Sequence, residues 1–205
     1  MTTENAAAPP IAPEEFEAVV QSLLTAIEAR DFKVHRHCER VAQFADSIAA
    51  QLQVSAVERQ RLRYGALLHD IGNIGLPDSI LYKPSALSKL EFDEVKLHPI
   101  IGEQIVRPLT GAGVLRTLIR HHHEKLDGSG YPDGLIGDEI PLTVKILSVV
   151  DVYDSLRSER PYREAFSHEG ALDILLNESE RGWWDAEIVA LLAELNISDD
   201  DFAPV

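Results

Sequence analysis

The chain has 205 residues, 45% of them apolar and 26% charged, with a formal net charge of −15 and a pI near 4.8. That length suffices for one domain with a real core, and the acidity argues against non-specific binding to nucleic acid polymers or anionic membranes. The one cysteine, Cys38, leaves no internal disulfide, and no apolar stretch is long enough to span a bilayer.

Residues 1–13, rich in Ala and Pro, read as a flexible tail that lacks the basic and apolar regions of a signal peptide. Residues 14–205 read as a single domain, and a cytoplasmic location is the expectation. From there the period is helical. Phe16, Val19, Val20, Leu23, Leu24 and Ile27 recur at i, i+3, i+4, i+7, as do Val41, Phe44, Ala45, Ile48 and Leu52. Ser55 and Glu58 have capping-box spacing ahead of a helix carrying Leu62, Ala66 and His69 on one stripe. Ser88 and Glu91 open another in the same way, running toward His98. Further helical runs cover residues 112–124, 143–157, 167–178 and 185–195, while 72–87 and 127–141 are Gly- and Pro-rich loops. No segment alternates as a strand and no repeat is visible. The expected fold is all-α, a single helical bundle around a common centre.

Five of the eight histidines, His37, His69, His98, His122 and His123, fall in or at the end of apolar helical stripes. Any one alone reads as a hydrogen-bonded core or surface residue. Five together, with Asp70 and Asp151 in equally apolar runs, read as the imidazoles and carboxylates of a transition-metal site. An ionised carboxylate buried beside His69 needs a compensating cation, and its two oxygens could bridge to a second ion. Nitrogen and oxygen donors without a thiolate favour iron or manganese. Cys38 reads as a small buried apolar residue, His35 and His168 as surface residues, and His121 stays open. The paired Trp183 and Trp184 are either a dimer edge or a core anchor.

Taken together these residues resemble the HD-GYP family of metal-dependent phosphohydrolases. The match runs from His37-Cys38-Glu39-Arg40 through His69-Asp70-Ile71-Gly72, Leu97-His98-Pro99 and His122-His123-Glu124-Lys125-Leu126-Asp127-Gly128-Ser129-Gly130-Tyr131-Pro132 to Asp151 and Arg160-Pro161-Tyr162-Arg163, in order over nearly the whole chain. The resemblance implies an all-helical domain of the HD type with a central binuclear metal centre. Its ligands would be His37, His69, Asp70, His98, His122, His123 and Asp151, with Asp70 bridging. It implies hydrolysis of cyclic di-GMP, or of cyclic GMP-AMP, by metal-activated water, first to linear pGpG and in some members on to GMP. Arg160 and Arg163 would bind phosphate. Tyr131 would belong to a loop on the substrate side, which in the family also contacts diguanylate cyclase domains.

Two positions depart from that pattern. Asn73 stands where the family has a lysine thought to touch substrate phosphate, so a cation is missing and only a neutral hydrogen bond remains. Lys33 stands where some members have a glutamate that holds a third metal, and an ammonium cannot ligate. Two readings therefore stay open: an active phosphodiesterase, with Asp70 and Asn73 at the reacting centre, and a weakened module that binds cyclic dinucleotide or a partner protein.

Overall fold

The computed structural model describes residues 13–159 and 163–202. Its helices are α1 (Pro13–Arg30), α2 (Phe32–Gln51), α3 (Ala56–Leu68), α4 (Asp78–Leu81), α5 (Lys89–Val95), α6 (His98–Val106), α7 (Gly113–His121), α8 (Leu142–Arg157), α9 (His168–Glu180) and α10 (Ala186–Ala193). Tight 3-10 turns occupy Ile71–Gly75, Gly137–Glu139 and Asp199–Phe202. The fold is all-α, and among the described residues there is no strand. An isolated antiparallel bridge joins Asp127 to Ile136. No described helix is long and apolar enough to cross a membrane. Of the expected tail, residues 1–12 lie outside the described residues, and Pro13 is already the first residue of α1, where its missing N–H costs nothing.

Helix starts follow side-chain chemistry. The Asp31 carboxylate accepts from the backbone N–H groups of Lys33 (2.8 Å) and Val34 (3.3 Å) to open α2. At α5 the capping box is complete: Ser88 Oγ accepts from Glu91 N, and the Glu91 carboxylate accepts from Ser88 N at 2.7 Å. At α3 it is half formed, because the Ser55 hydroxyl donates to the Glu58 carboxylate instead.

The helix expected to run from Ser88 to His98 is in fact two. Pro99 has no N–H to give the Val95 carbonyl, and its ring crowds that oxygen. So α5 stops at Val95, and α6, which the periodicity did not mark out, begins at His98.

Two apolar clusters hold the bundle. One joins Val41, Ala45 and Ile48 of α2 to Leu62 and Ala66 of α3, Ile146 and Val150 of α8, and Leu175, Ile188 and Leu192 beyond. The other joins Val20, Leu24 and Ile27 of α1 to Leu68, Ile71, Val106, Leu115 and Ile119. Each fully buried Val, Leu or Ile among them contributes about 1.5–3 kcal/mol. Trp184 anchors the first cluster and donates its indole N–H to Glu178 at 2.7 Å. His168, expected at the surface, is half-buried with Nδ1 2.7 Å from the Tyr153 hydroxyl.

Two glycines set how closely the helices approach. A Cβ on Gly65 would lie 2.7 Å from Leu118 Cβ, so α3 and α7 touch there, one turn before His69 and His122 respectively. A Cβ on Gly72 would overlap the His98 carbonyl, so the turn after Asp70 rests directly on the start of α6. Both contacts pull histidine-bearing helix ends together. Gly65→Val should lower stability by about 1–3 kcal/mol through overpacking, read as a lower urea midpoint with an unchanged m value.

Candidate metal centre

Three of the histidines stand at helix ends. His69 caps the C-terminus of α3, His122 caps that of α7, and His98 opens α6. Each turns its Nδ1 back to a carbonyl three residues earlier: His69 to Ala66 O (2.7 Å), His98 to Val95 O (2.7 Å), and His122 to Ile119 O (2.8 Å). A carbonyl can only accept, so Nδ1 carries a proton and Nε2, the atom left to ligate, points the other way. His37, in mid-α2, has the same polarity, because its Nδ1 donates to Asp154 at 2.6 Å.

The four Nε2 atoms then meet pairwise. His37 and His69 are 3.2 Å apart there, and His98 and His122 are 3.1 Å apart. Two carboxylates thread between them. Asp151 sets one oxygen 3.1 Å from His37 Nε2 and 3.6 Å from His69 Nε2, and its other oxygen 3.6 Å from His123 Nδ1. Asp70 sets one oxygen 3.3 Å from His98 Nε2 and the other 3.8 Å from His69 Nε2. All seven residues singled out from the sequence come together. They form three overlapping triads of ligand atoms: His37, His69 and Asp70; His98, His122 and His123; and His69, His122 and Asp151.

Lone pairs and carboxylate oxygens facing one another require positive charge. Protons supply only part of it. Burial and the neighbouring His123, His69 and His98 hold His122 well below the usual imidazole range. Burial holds His123 down to about 4 even with Asp151 beside it. His37 and His69 behave oppositely: burial works against their charge, but Asp154 and Asp151 raise His37 to about 10, and Cys38, Asp70 and Asp151 hold His69 well above the usual imidazole range. Borderline nitrogen donors plus hard oxygens, converging from rigid supports, are a set that could hold a metal ion.

Behind the donors lies a carboxylate that sequence reasoning passed over. Asp154 is fully buried, receives His37, and forms a two-pronged ion pair with Arg40 at 2.7 and 2.9 Å. It fixes the orientation of the His37 ring and keeps a proton on Nδ1. The Arg40 guanidinium is itself covered by the Phe202 ring at 4.9 Å. The signal was present, since Asp151 and Asp154 are three apart on one helix face. Glu124, also fully buried, accepts N–H groups from Asp133 (2.7 Å), Gly134 and Leu135 (3.1 Å each), and so shapes the loop that follows the histidines.

Other candidates are more peripheral. The Tyr131 ring lies 4.8 Å from that of His123, and its N–H donates to the His123 carbonyl. Asn73 is half-buried in the turn after Asp70. Arg163 donates to the Ser155 carbonyl at 2.7 Å and stacks on Phe166, while Arg160 lies outside the described residues. His121 turns away to Asp133 (2.8 Å). Cys38 is buried, as expected, with its sulfur 3.9 Å from His69 Nδ1. Lys33 is exposed one turn before His37.

Comparison with known proteins agrees with this geometry. The model of the HD domain matches residues 21–188. The chain belongs to the HD-domain family, and to its HD-GYP branch. Among HD-GYP relatives, it is 40% identical over 187 residues to the 3'3'-cGAMP-specific phosphodiesterase 3 of Vibrio cholerae, covering 91% of this chain and 40% of that protein. It is 40% identical over 172 residues to the cyclic di-GMP phosphodiesterase response regulator RpfG of Xanthomonas campestris, covering 82% and 45%. The crystal structure of the cyclic GMP-AMP-specific phosphodiesterase V-cGAP3 of V. cholerae superimposes with a TM-score of 0.59 at 34% identity, covering 94% of this chain and 44% of that one. The chain thus spans less than half the length of the curated relatives it matches.

Burial raises the Asp154 carboxyl, but His37 and Arg40 overcome it and hold it below its unfolded value of 3.8. Its stabilisation is therefore fully present above that value and is lost as pH falls through and below it. Asp154→Asn should cost about 3–5 kcal/mol near neutrality. Chemical denaturation should show the gap to the parent constant from neutrality to about pH 5 and narrowing below about pH 4.

Proposed function

We propose that this chain is a metal-dependent phosphodiesterase that opens cyclic di-GMP to linear pGpG at a binuclear iron or manganese centre. The observation that carries the reading is the pairwise convergence of four Nε2 atoms, each opposite a fixed Nδ1–H, around Asp70, which reaches both pairs, and Asp151, which reaches His37, His69 and His123. The relatives named as cyclic di-GMP and cyclic GMP-AMP phosphodiesterases support the substrate class.

When bound, the ions supply an activated water nucleophile and charge that offsets the phosphate oxygens. The residues do the rest. His37, His69 and Asp151 would hold one ion, and His98, His122 and His123 the other, with Asp70 shared between them. Asp154 keeps the His37 Nδ1 proton where it is. Arg160 and Arg163 would hold the phosphate under attack by charge-assisted hydrogen bonds. Burial, with the Asp151 and Asp70 charges, raises the Tyr131 phenol, so it stays a neutral donor at the edge of the site. Asn73 would donate a neutral hydrogen bond to the same phosphate.

Asn73 also carries the second reading, a weakened module. Losing the lysine's charge-assisted hydrogen bond costs about 1.5–3 kcal/mol of transition-state stabilisation, of which the neutral bond from Asn73 returns a part. Protein prepared without oxygen and loaded with Fe(II) or Mn(II) is expected to accumulate pGpG from cyclic di-GMP, with Asp70→Ala inactive. Chromatography of the products decides between the readings: no turnover despite bound metal, restored by Asn73→Lys, would support the weakened module.

Ion uptake must also displace the protons that the acidic neighbours hold on His37, up to about pH 10, and on His69. Affinity for Mn(II) should therefore rise with pH through neutrality, by up to about tenfold per unit for each proton displaced. Calorimetry in buffers of different ionisation enthalpy would count the protons released.

A further inference from the structure

A cyclic dinucleotide carries two phosphodiesters, and the centre described above can engage only the one under attack. The other brings a second negative charge to a chain whose net charge is −15. It therefore needs a local cation. Several of the basic groups around the cluster already serve acidic partners. Arg40 is paired with Asp154, and Arg120 makes a two-pronged pair with Asp133 at 2.7 Å. Asn73 contributes no charge.

Lys96 is placed differently. It sits at the C-terminal cap of α5, two residues before His98, where Pro99 breaks the helix. Its ammonium lies 4.9 Å from the centre of the Phe92 ring and 5.6 Å from that of Tyr131. The Tyr131 ring in turn lies 4.8 Å from that of His123. One aromatic ring thus separates this ammonium from the ligand cluster. Its ion pair with Asp93 is long, 3.7 Å, and lies on its own helix. The two π faces hold the ammonium at the mouth of the site while leaving its N–H donors available to an anion. Beside it, the Phe92 ring is 45% exposed, and α5 has no buried residue at all. An open aromatic face next to a cation is the arrangement that receives a stacked base and its phosphate.

We propose that Lys96 and Phe92 form the subsite for the second nucleotide of the substrate, Lys96 binding the phosphate that is not cleaved and Phe92 stacking on the base. This assignment rests on the phosphodiesterase reading above. It also gives the acidic chain a cation near the substrate that does not depend on the position of Asn73.

The test compares cyclic di-GMP with bis(p-nitrophenyl) phosphate, a phosphodiester with neither a second phosphate nor a purine, on metal-loaded protein. Lys96→Met keeps the apolar stem against both rings and removes only the charge, and Lys96→Arg restores it. In Lys96→Met the ratio of kcat/KM for cyclic di-GMP to that for the small diester should fall about tenfold or more, mainly through KM, the loss expected for one charge-assisted contact. Lys96→Arg should recover most of it, and Phe92→Ala should lower the same ratio. Parallel loss on both substrates, or an unchanged ratio in Lys96→Met while the parent turns over cyclic di-GMP, overturns the subsite and leaves the phosphodiesterase reading standing. A parent that cleaves only the small diester, and does not bind cyclic di-GMP, overturns the reading and the subsite with it.

Discussion

The structure turns on a hydrogen bond made three times over: an imidazole at a helix end donating Nδ1–H to the carbonyl three residues behind it. That bond is ordinary in energy, about 0.5–1.5 kcal/mol net. Its effect is directional. It fixes a proton on Nδ1, and so turns three Nε2 atoms into one small volume with Asp70 and Asp151. His37 reaches the same polarity by another route, through Asp154 and Arg40.

Bringing them together is the work of contact distances more than of the apolar clusters. Hydrophobic burial is non-directional and would accept many helix offsets. Gly65 against Leu118 and Gly72 against the start of α6 accept few, because any added carbon would collide. The same local geometry explains why Pro99 is compatible with a functional helix start. By releasing the Val95 carbonyl from its helical partner, it leaves that oxygen for His98.

Much of this was legible in the sequence. The apolar period exposed α1, α2, α3, α7, α8, α9 and α10 because each buries one face, and all seven candidate ligands were visible as polar residues in apolar stripes. The break between α5 and α6 was not, since a capping box and a run of helix formers outweigh one proline in any periodic count. Asp154 and Glu124 were missed for a different reason: each acts on partners far away or on backbone N–H groups, and residue pattern records neither. His168 looked like a surface residue because its partner, Tyr153, is fifteen positions away on another helix. Lys96 draws its meaning only from the rings of Phe92 and Tyr131, of which the second arrives from a distant loop.

The origin of those three carbonyls has a consequence for assembly. Ala66, Val95 and Ile119 each belong to the helix, or the helix break, that carries the histidine they receive, so the ring orientation is a local property, already defined before the helices dock. The entropy of orienting those rings is then lost with helix formation and not again when an ion arrives. Docking reduces to bringing preset parts into register, and an ion that binds the completed cluster favours the docked arrangement over every looser one. In such a protein, metal supply and bundle closure become one equilibrium.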